Sequence, residues 1–122
     1  MKPIVVVDDE EMIRSLIARI LTEEGFQTLE AADGRAGLEI IERLGSHVSL
    51  VVSDVVMPRL NGVALLEHLS VSHPGVPVIL ISGYGEHELA GQGLKMPCGI
   101  LRKPFMPEAL VAEVRRCLTV PA

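Results

Sequence analysis

The sequence predicts an α/β domain: a doubly wound, five-stranded parallel sheet with helices on both faces. Short β-branched runs alternate with segments of helical periodicity. Most of those runs are continuously apolar, as strands buried on both faces require. A carboxylate or a lysine stands just past several of them. Hydrophobic residues make up 48% of the chain and aromatics only 2%, so Val, Leu, Ile and Ala must build the core. A chain of 122 residues is the size of one ordinary domain, so a single unit over 1–122 with no internal linker is expected.

The first strand is PIVVV, ending at Asp8. From Glu11, the apolar residues Ile13, Leu16, Ile17, Ile20 and Leu21 follow helical spacing, and Gly25 closes that helix. QTLEA alternates and suits an edge strand, after which Asp33 is placed to cap a helix through Leu44. LVVS, ending at Asp54, is the third strand. Asn61 or a residue beside it caps a helix carrying Val63, Leu65, Leu66 and Leu69, which His73, Pro74 and Gly75 end. VPVILI is the fourth strand, stopping at Ser82 and the turn SGYG; GILR is the fifth. Pro107 suits a helix start, and the last helix is expected to bury Leu110, Val111, Val114 and Leu118. Between strands four and five, Gly91, Gly93 and Pro97 disfavour a regular helix, so the fourth of the five expected helices should be short or irregular.

A formal net charge of -5, with four acids in a row from Asp8 to Glu11, argues against a nucleic-acid surface, which needs clustered Lys and Arg. No signal-like start or long apolar span is present, so a soluble, cytoplasmic chain with no membrane contact is expected. Cys98 and Cys117 form no CxxC and read as small core fillers, not a redox pair. The four histidines lack ligand-like spacing and read as surface residues.

Residues just past the carboxyl ends of parallel strands converge at one edge, where ligands bind. Asp8, Asp9, Asp54 and Lys103 all hold such positions. Three carboxylates and an ammonium gathered there point to a hard metal ion and a phosphoryl group. Each alone has a bland reading, since an acid run is often a solvated helix start and Glu10 and Glu11 are read as only that.

Taken together, VVVDDEE, VVSDVVMP, LNG, ISGYG and LRKPF, in that order and at these separations, resemble the receiver domains of two-component response regulators over the whole chain. The resemblance implies a flavodoxin-like sheet of order 2-1-3-4-5. It makes Asp54 the acceptor of a phosphoryl group from a histidine kinase or a histidine phosphotransfer protein. Asp8 and Asp9 become the acidic pair that helps hold Mg²⁺, Asp9 the more direct ligand, with the Val56 backbone carbonyl completing the protein ligands. Ser82 contacts the phosphoryl group, Lys103 pairs with it, and Pro104 carries the unusual peptide bond that aims the lysine. Elementary chemistry agrees: a carboxylate attacks phosphorus only if the incoming negative charge is neutralised. Mg²⁺ is usually held by one or two carboxylates plus phosphate oxygens and waters.

Competing readings are weaker. A haloacid-dehalogenase-like phosphatase needs a second aspartate two residues after the first, where this chain has Val56, so a turnover enzyme is not expected. A flavin module would place Ser, Thr and Gly in the first loop, whereas DDEE repels phosphate. A phosphorylation-independent interaction domain with a vestigial acidic site is the remaining alternative. In the resembled family the signal reaches a downstream protein through the fourth helix, fifth strand and fifth helix, using an aromatic on that strand. Here that position is Ile100, so a flipping ring is ruled out, and the glycine-rich residues near 84 to 97 are the expected moving part. Val56 and Tyr84 are expected to flank the path of hydrolytic water and to lengthen the phosphoryl lifetime, while Gly83 adds no bulk. DVVMP, SGYG and KPF are similar to receivers of hybrid sensor kinases and of free single-domain regulators alike. Output through binding, by a monomer or weak homodimer, is expected.

Overall fold

The computed structural model describes residues 2–83 and 96–119. Five parallel strands form one sheet: β1 Ile4–Val7, β2 Thr28–Ala31, β3 Leu50–Asp54, β4 Val78–Ser82 and β5 Gly99–Arg102. Their order is β2-β1-β3-β4-β5, the flavodoxin-like order. Among the described residues there are four α-helices: α1 Glu11–Glu23, α2 Gly34–Leu44, α3 Gly62–Ser72 and α4 Pro107–Thr119. A 3₁₀ turn, Gly45–His47, follows α2 at the amino-terminal edge of the sheet. The irregular helix expected between strands four and five falls within 84–95, outside the described residues, as does Tyr84.

Alternation along the strands builds two cores. Val5, Val7, Val51 and Leu80 point to one face, where they meet Ile41 of α2 and Leu65, Leu66 and Leu69 of α3. Ile4, Val6, Leu50, Val52, Ile79 and Ile81 point to the other, against Ile17 and Leu21 of α1 and Leu110, Val114 and Cys117 of α4. With both faces covered, the inner strands β1, β3 and β4 are wholly buried. That burial is why the sequence shows unbroken Val and Ile runs there.

Local signals set the helix starts. Asp33 accepts a hydrogen bond from the Ala36 N–H at 2.8 Å to cap α2, and Asn61 does the same for Ala64 at 2.8 Å to cap α3. Gly25 takes φ +93° after α1, a left-handed conformation that favours glycine.

Two expectations need correction. Leu118 is 37% exposed and Val111 only half-buried, because α4 turns Leu110, Val114 and Cys117 inward at i, i+4 and i+7. Cys117 therefore occupies the inward position that the sequence reading assigned to Leu118. The cysteines do pack against the α1/α4 core, but they are also bonded to each other as a disulfide, with Cα atoms 6.0 Å apart. Nineteen residues of separation concealed a pairing that only the packing of α4 on β5 creates.

Candidate functional site

The carboxyl edge of the sheet gathers the residues that the sequence placed at strand ends. Asp8 follows β1, Asp54 ends β3, Ser82 ends β4 and Lys103 follows β5. Parallel registry brings them level. Val7 pairs with Ser53, Asp54 with Ile81 and Ser82 with Arg102. One carboxylate oxygen each from Asp8, Asp9 and Asp54 lies within 4.8 Å of the others. Asp8 and Asp54 are buried and Asp9 is exposed, so the cluster opens to solvent on the Asp9 side. Lys103 Nζ stands 3.2 Å from Asp54 Oδ1. The Lys103–Pro104 peptide bond is cis, and the Lys103 N–H donates to the Ser82 carbonyl at 2.7 Å, holding the lysine against the end of β4. Ser82 is fully buried, Gly83 follows it, and Val56 is 49% exposed beside the acceptor strand.

Electrostatics make this a strained cluster. Burial and then the adjacent Asp8 carboxylate push the Asp54 carboxyl up to about 6, against the pull of Lys103 and of the Val55 N–H, which donates to Asp54 Oδ1 at 3.0 Å. Burial also raises Asp8, partly opposed by the Glu10 N–H that donates to its Oδ1 at 2.9 Å. For Lys103, burial acts downward, yet attraction to Asp54 and Asp8 outweighs it and holds the ammonium above its usual range. Asp8 Oδ2 is buried without a hydrogen-bond partner among the described residues. A buried, unpartnered carboxylate oxygen is costly unless something cationic completes it. An oxygen-only donor set, that unmatched oxygen and an open side together fit a hard divalent cation such as Mg²⁺.

Three supporting features were not legible in the sequence. Arg14 on α1 donates from Nη1 to the Asp8 carbonyl at 3.0 Å and from Nε to Glu30 at 3.2 Å, tying the acidic loop to β2. Arg59 has φ 70° and its Nη1 lies 2.6 Å from Asp33 Oδ2, which straps the loop after β3 to the start of α2. Gly62 packs so closely under Asp54 that any Cβ there would collide with the Asp54 carbonyl oxygen. Of these only Gly62 had a signal, as the glycine of LNG at a helix start; the two arginines depend on tertiary proximity.

A flavodoxin-like sheet whose carboxyl edge presents three aspartates and a lysine defines an α/β domain with an acidic, cation-fitting strand-end site. Residues 4–115 match the family model of the response regulator receiver domain, and the chain belongs to that family. It is 40% identical over 119 residues to the sensor kinase CckA of Brucella abortus, an alignment covering 94% of this chain and 12% of that kinase. It is 38% identical over 113 residues to the response regulator RR06 of Streptococcus pneumoniae, covering 92% of this chain and 51% of that protein. The chain thus spans only part of the length of these relatives. Among solved structures, the receiver domain of NtrX from Brucella abortus is similar at 36% identity and TM-score 0.83, covering 94% of this chain and 97% of that one. A response regulator receiver domain protein from Clostridium thermocellum superposes at TM-score 0.91 with 28% identity, covering 97% and 94% of the two chains. Receiver domains act in two-component phosphorelays, where they interact with histidine kinases or phosphotransfer proteins and generally bind Mg²⁺ at an acidic pocket.

Proposed function

We propose that Asp54 accepts a phosphoryl group from a phosphohistidine of a histidine kinase or histidine phosphotransfer protein, and that the aspartyl phosphate switches a protein-binding surface. The observation that carries this reading is the position of the Asp54 carboxylate: buried, 3.2 Å from the Lys103 ammonium and clustered with Asp8 and Asp9.

One Asp54 oxygen attacks phosphorus in line with the histidine nitrogen, the N–P bond breaks, and the electron pair stays on the imidazole. Lys103 is placed to pair with a phosphoryl oxygen as negative charge gathers on it, and Ser82, at the end of β4, to contact a second. Asp9, Asp54, Asp8 and the Val56 carbonyl are the residues that would hold Mg²⁺, which neutralises phosphoryl charge when bound. Val56, two residues past the acceptor, offers an alkyl group where a phosphatase needs an acid, so the module carries its phosphate as a signal and does not turn over substrate. Ile100 is half-buried against the α2/α3 core, so a switch through β5 and α4 works without a flipping ring; the fourth-helix part of the expected signalling face lies outside the described residues. We place the module in the cytoplasm as one domain over 1–122, a monomer or weak homodimer without direct nucleic-acid contact.

The test is incubation with acetyl phosphate and Mg²⁺, read by intact-mass spectrometry and peptide mapping. One added phosphoryl group on Asp54, absent without Mg²⁺ and in Asp54→Asn, is expected. A folded Asp54→Asn protein labelled elsewhere at the wild-type rate would overturn the assignment.

A further inference from the structure

At the opposite end of β5 from Lys103, Cys98 and Cys117 join the strand's first turn to the last turns of α4. The two sulfurs differ in access, since Cys98 is half-buried at the edge of the sheet whereas Cys117 is 1% exposed within the α1/α4 core. Noncovalent bonds hold the same two segments together independently of the sulfurs. Arg116 Nη2 donates to the Cys98 carbonyl at 2.6 Å and lies 3.6 Å from Cys117 Sγ, while Arg116 Nε pairs with Glu113 Oε1 at 2.9 Å. Gly99 leaves the room that this pair needs, because a Cβ there would collide with the Glu113 carboxylate. The partners therefore stay adjacent when the sulfur bond opens, which a site that closes again requires.

We infer that Cys98 and Cys117 form a reversible thiol–disulfide site that exchanges electrons with small thiols of the glutathione class. In the cytoplasmic setting proposed above, on which this inference rests, disulfides are characteristically transient and redox-linked, not permanent braces. Oxidation begins at the accessible sulfur. The Cys98 thiolate attacks glutathione disulfide, forming a mixed disulfide and expelling one glutathione thiolate. Cys117, its proton released to water, then attacks Cys98 Sγ and expels the second. Two protein thiols lose two electrons and two protons, and one glutathione disulfide becomes two glutathione thiols. Excess glutathione reverses both steps. The Arg116 guanidinium beside Cys117 Sγ stabilises the thiolate that leaves. The covalent loop closed by oxidation contains β5, Lys103 and most of α4, so the bridge constrains the strand that delivers the lysine and the helix that follows it.

The experiment equilibrates the native, full chain across a series of reduced-to-oxidised glutathione ratios, then quenches with acid, denatures, alkylates with iodoacetamide and measures intact mass. A reversible passage from two alkylated thiols to none is expected. Circular dichroism confirms that two variants fold: Cys117→Ala collects one glutathione on Cys98, and Cys98→Ser collects several-fold less on Cys117. Two thiols that persist at every ratio, or a bridge that withstands excess glutathione in the native chain, would overturn the inference. So would equal glutathionylation of the two variants. Asp54 labelling, measured on the same samples, separates failure here from failure of the phosphorelay reading.

Discussion

Lys103 Nζ and Asp54 Oδ1 meet at 3.2 Å although their strands are not neighbours: β4 lies between β3 and β5. The lysine therefore reaches across about 10 Å of sheet and over the end of β4, where Ser82 sits. It is the cation that makes an ionised Asp54 tolerable in a pocket shared with Asp8. Lys103→Ala is expected to slow acetyl phosphate labelling by roughly 100-fold, the order of loss seen when a preorganised charge-stabilising donor is removed. Lys103→Arg should recover only part of it, since a planar fork does not replace a point charge in a site this narrow. Labelling of Lys103→Ala at the wild-type rate would remove the lysine from the mechanism.

Asp54 also sets a pH dependence of stability whose sign is opposite to that of an ordinary paired carboxylate. Its folded-state value of about 6 lies above the ordinary aspartate value of 3.8, so the folded protein binds the extra proton. Without Mg²⁺, stability should fall as pH rises from about 4 to about 6 and stay low above that. Asp54→Asn should abolish this loss and leave the variant more stable than wild type at pH 7 by roughly 1–2 kcal/mol, below the full linkage figure because the substitution also leaves the Lys103 ammonium without its ion-pair partner. Urea denaturation at pH 4 and pH 7 in chelator decides; a variant less stable at both pH values contradicts the electrostatic account.

Asp8 gives a sign reversal of another kind. Its unmatched Oδ2 is a burden in metal-free protein and an asset when a cation is present. Asp8→Asn is expected to be as stable as wild type or more so in chelator. Wild type should gain about 2.7 kcal/mol when Mg²⁺ reaches 100 times its dissociation constant, and the variant should gain little. Denaturation midpoints with and without Mg²⁺ make the comparison, and an undiminished Mg²⁺ response in Asp8→Asn would exclude Asp8 from the metal site.

Arg59 sets two local effects against each other. Its left-handed backbone costs a non-glycine residue roughly 1 kcal/mol, and its ion pair with Asp33, solvent-exposed on the arginine side, returns up to about 1 kcal/mol. Arg59→Ala loses the pair and keeps the strain; Arg59→Gly loses the pair and sheds it. The alanine variant should be the less stable of the two by about 1 kcal/mol, measured by thermal or urea unfolding.

Gly62→Ala is expected to destabilise by several kcal/mol and to slow labelling as well, since its Cβ must displace the carbonyl of the acceptor residue itself. Loss of stability with an unchanged rate of labelling would show that the acceptor tolerates the shift.

Much of this was legible before any coordinates. Asp8, Asp54 and Lys103 sit at the ends of apolar runs, and in a parallel sheet that position alone implies convergence. Asp33 and Asn61 could be read as caps because capping depends on the next three residues only. What stayed hidden depends on long-range packing: Arg14 on the Asp8 carbonyl, Arg59 on Asp33, and the pairing of Cys98 with Cys117. The misplacement of Leu118 arose because i+7 and i+8 both read as inward on a short helix; the fit of Cys117 against β5 settled the choice.

The Gly45–His47 turn lies at the edge of the sheet remote from Asp54, with Gly45 at φ +55° and open space where a side chain would begin. Ser46 and His47 are exposed, so a fluorophore or affinity tag grafted there would report on this molecule without crowding the carboxylates. That spot is a practical handle for tethering the protein in single-molecule work.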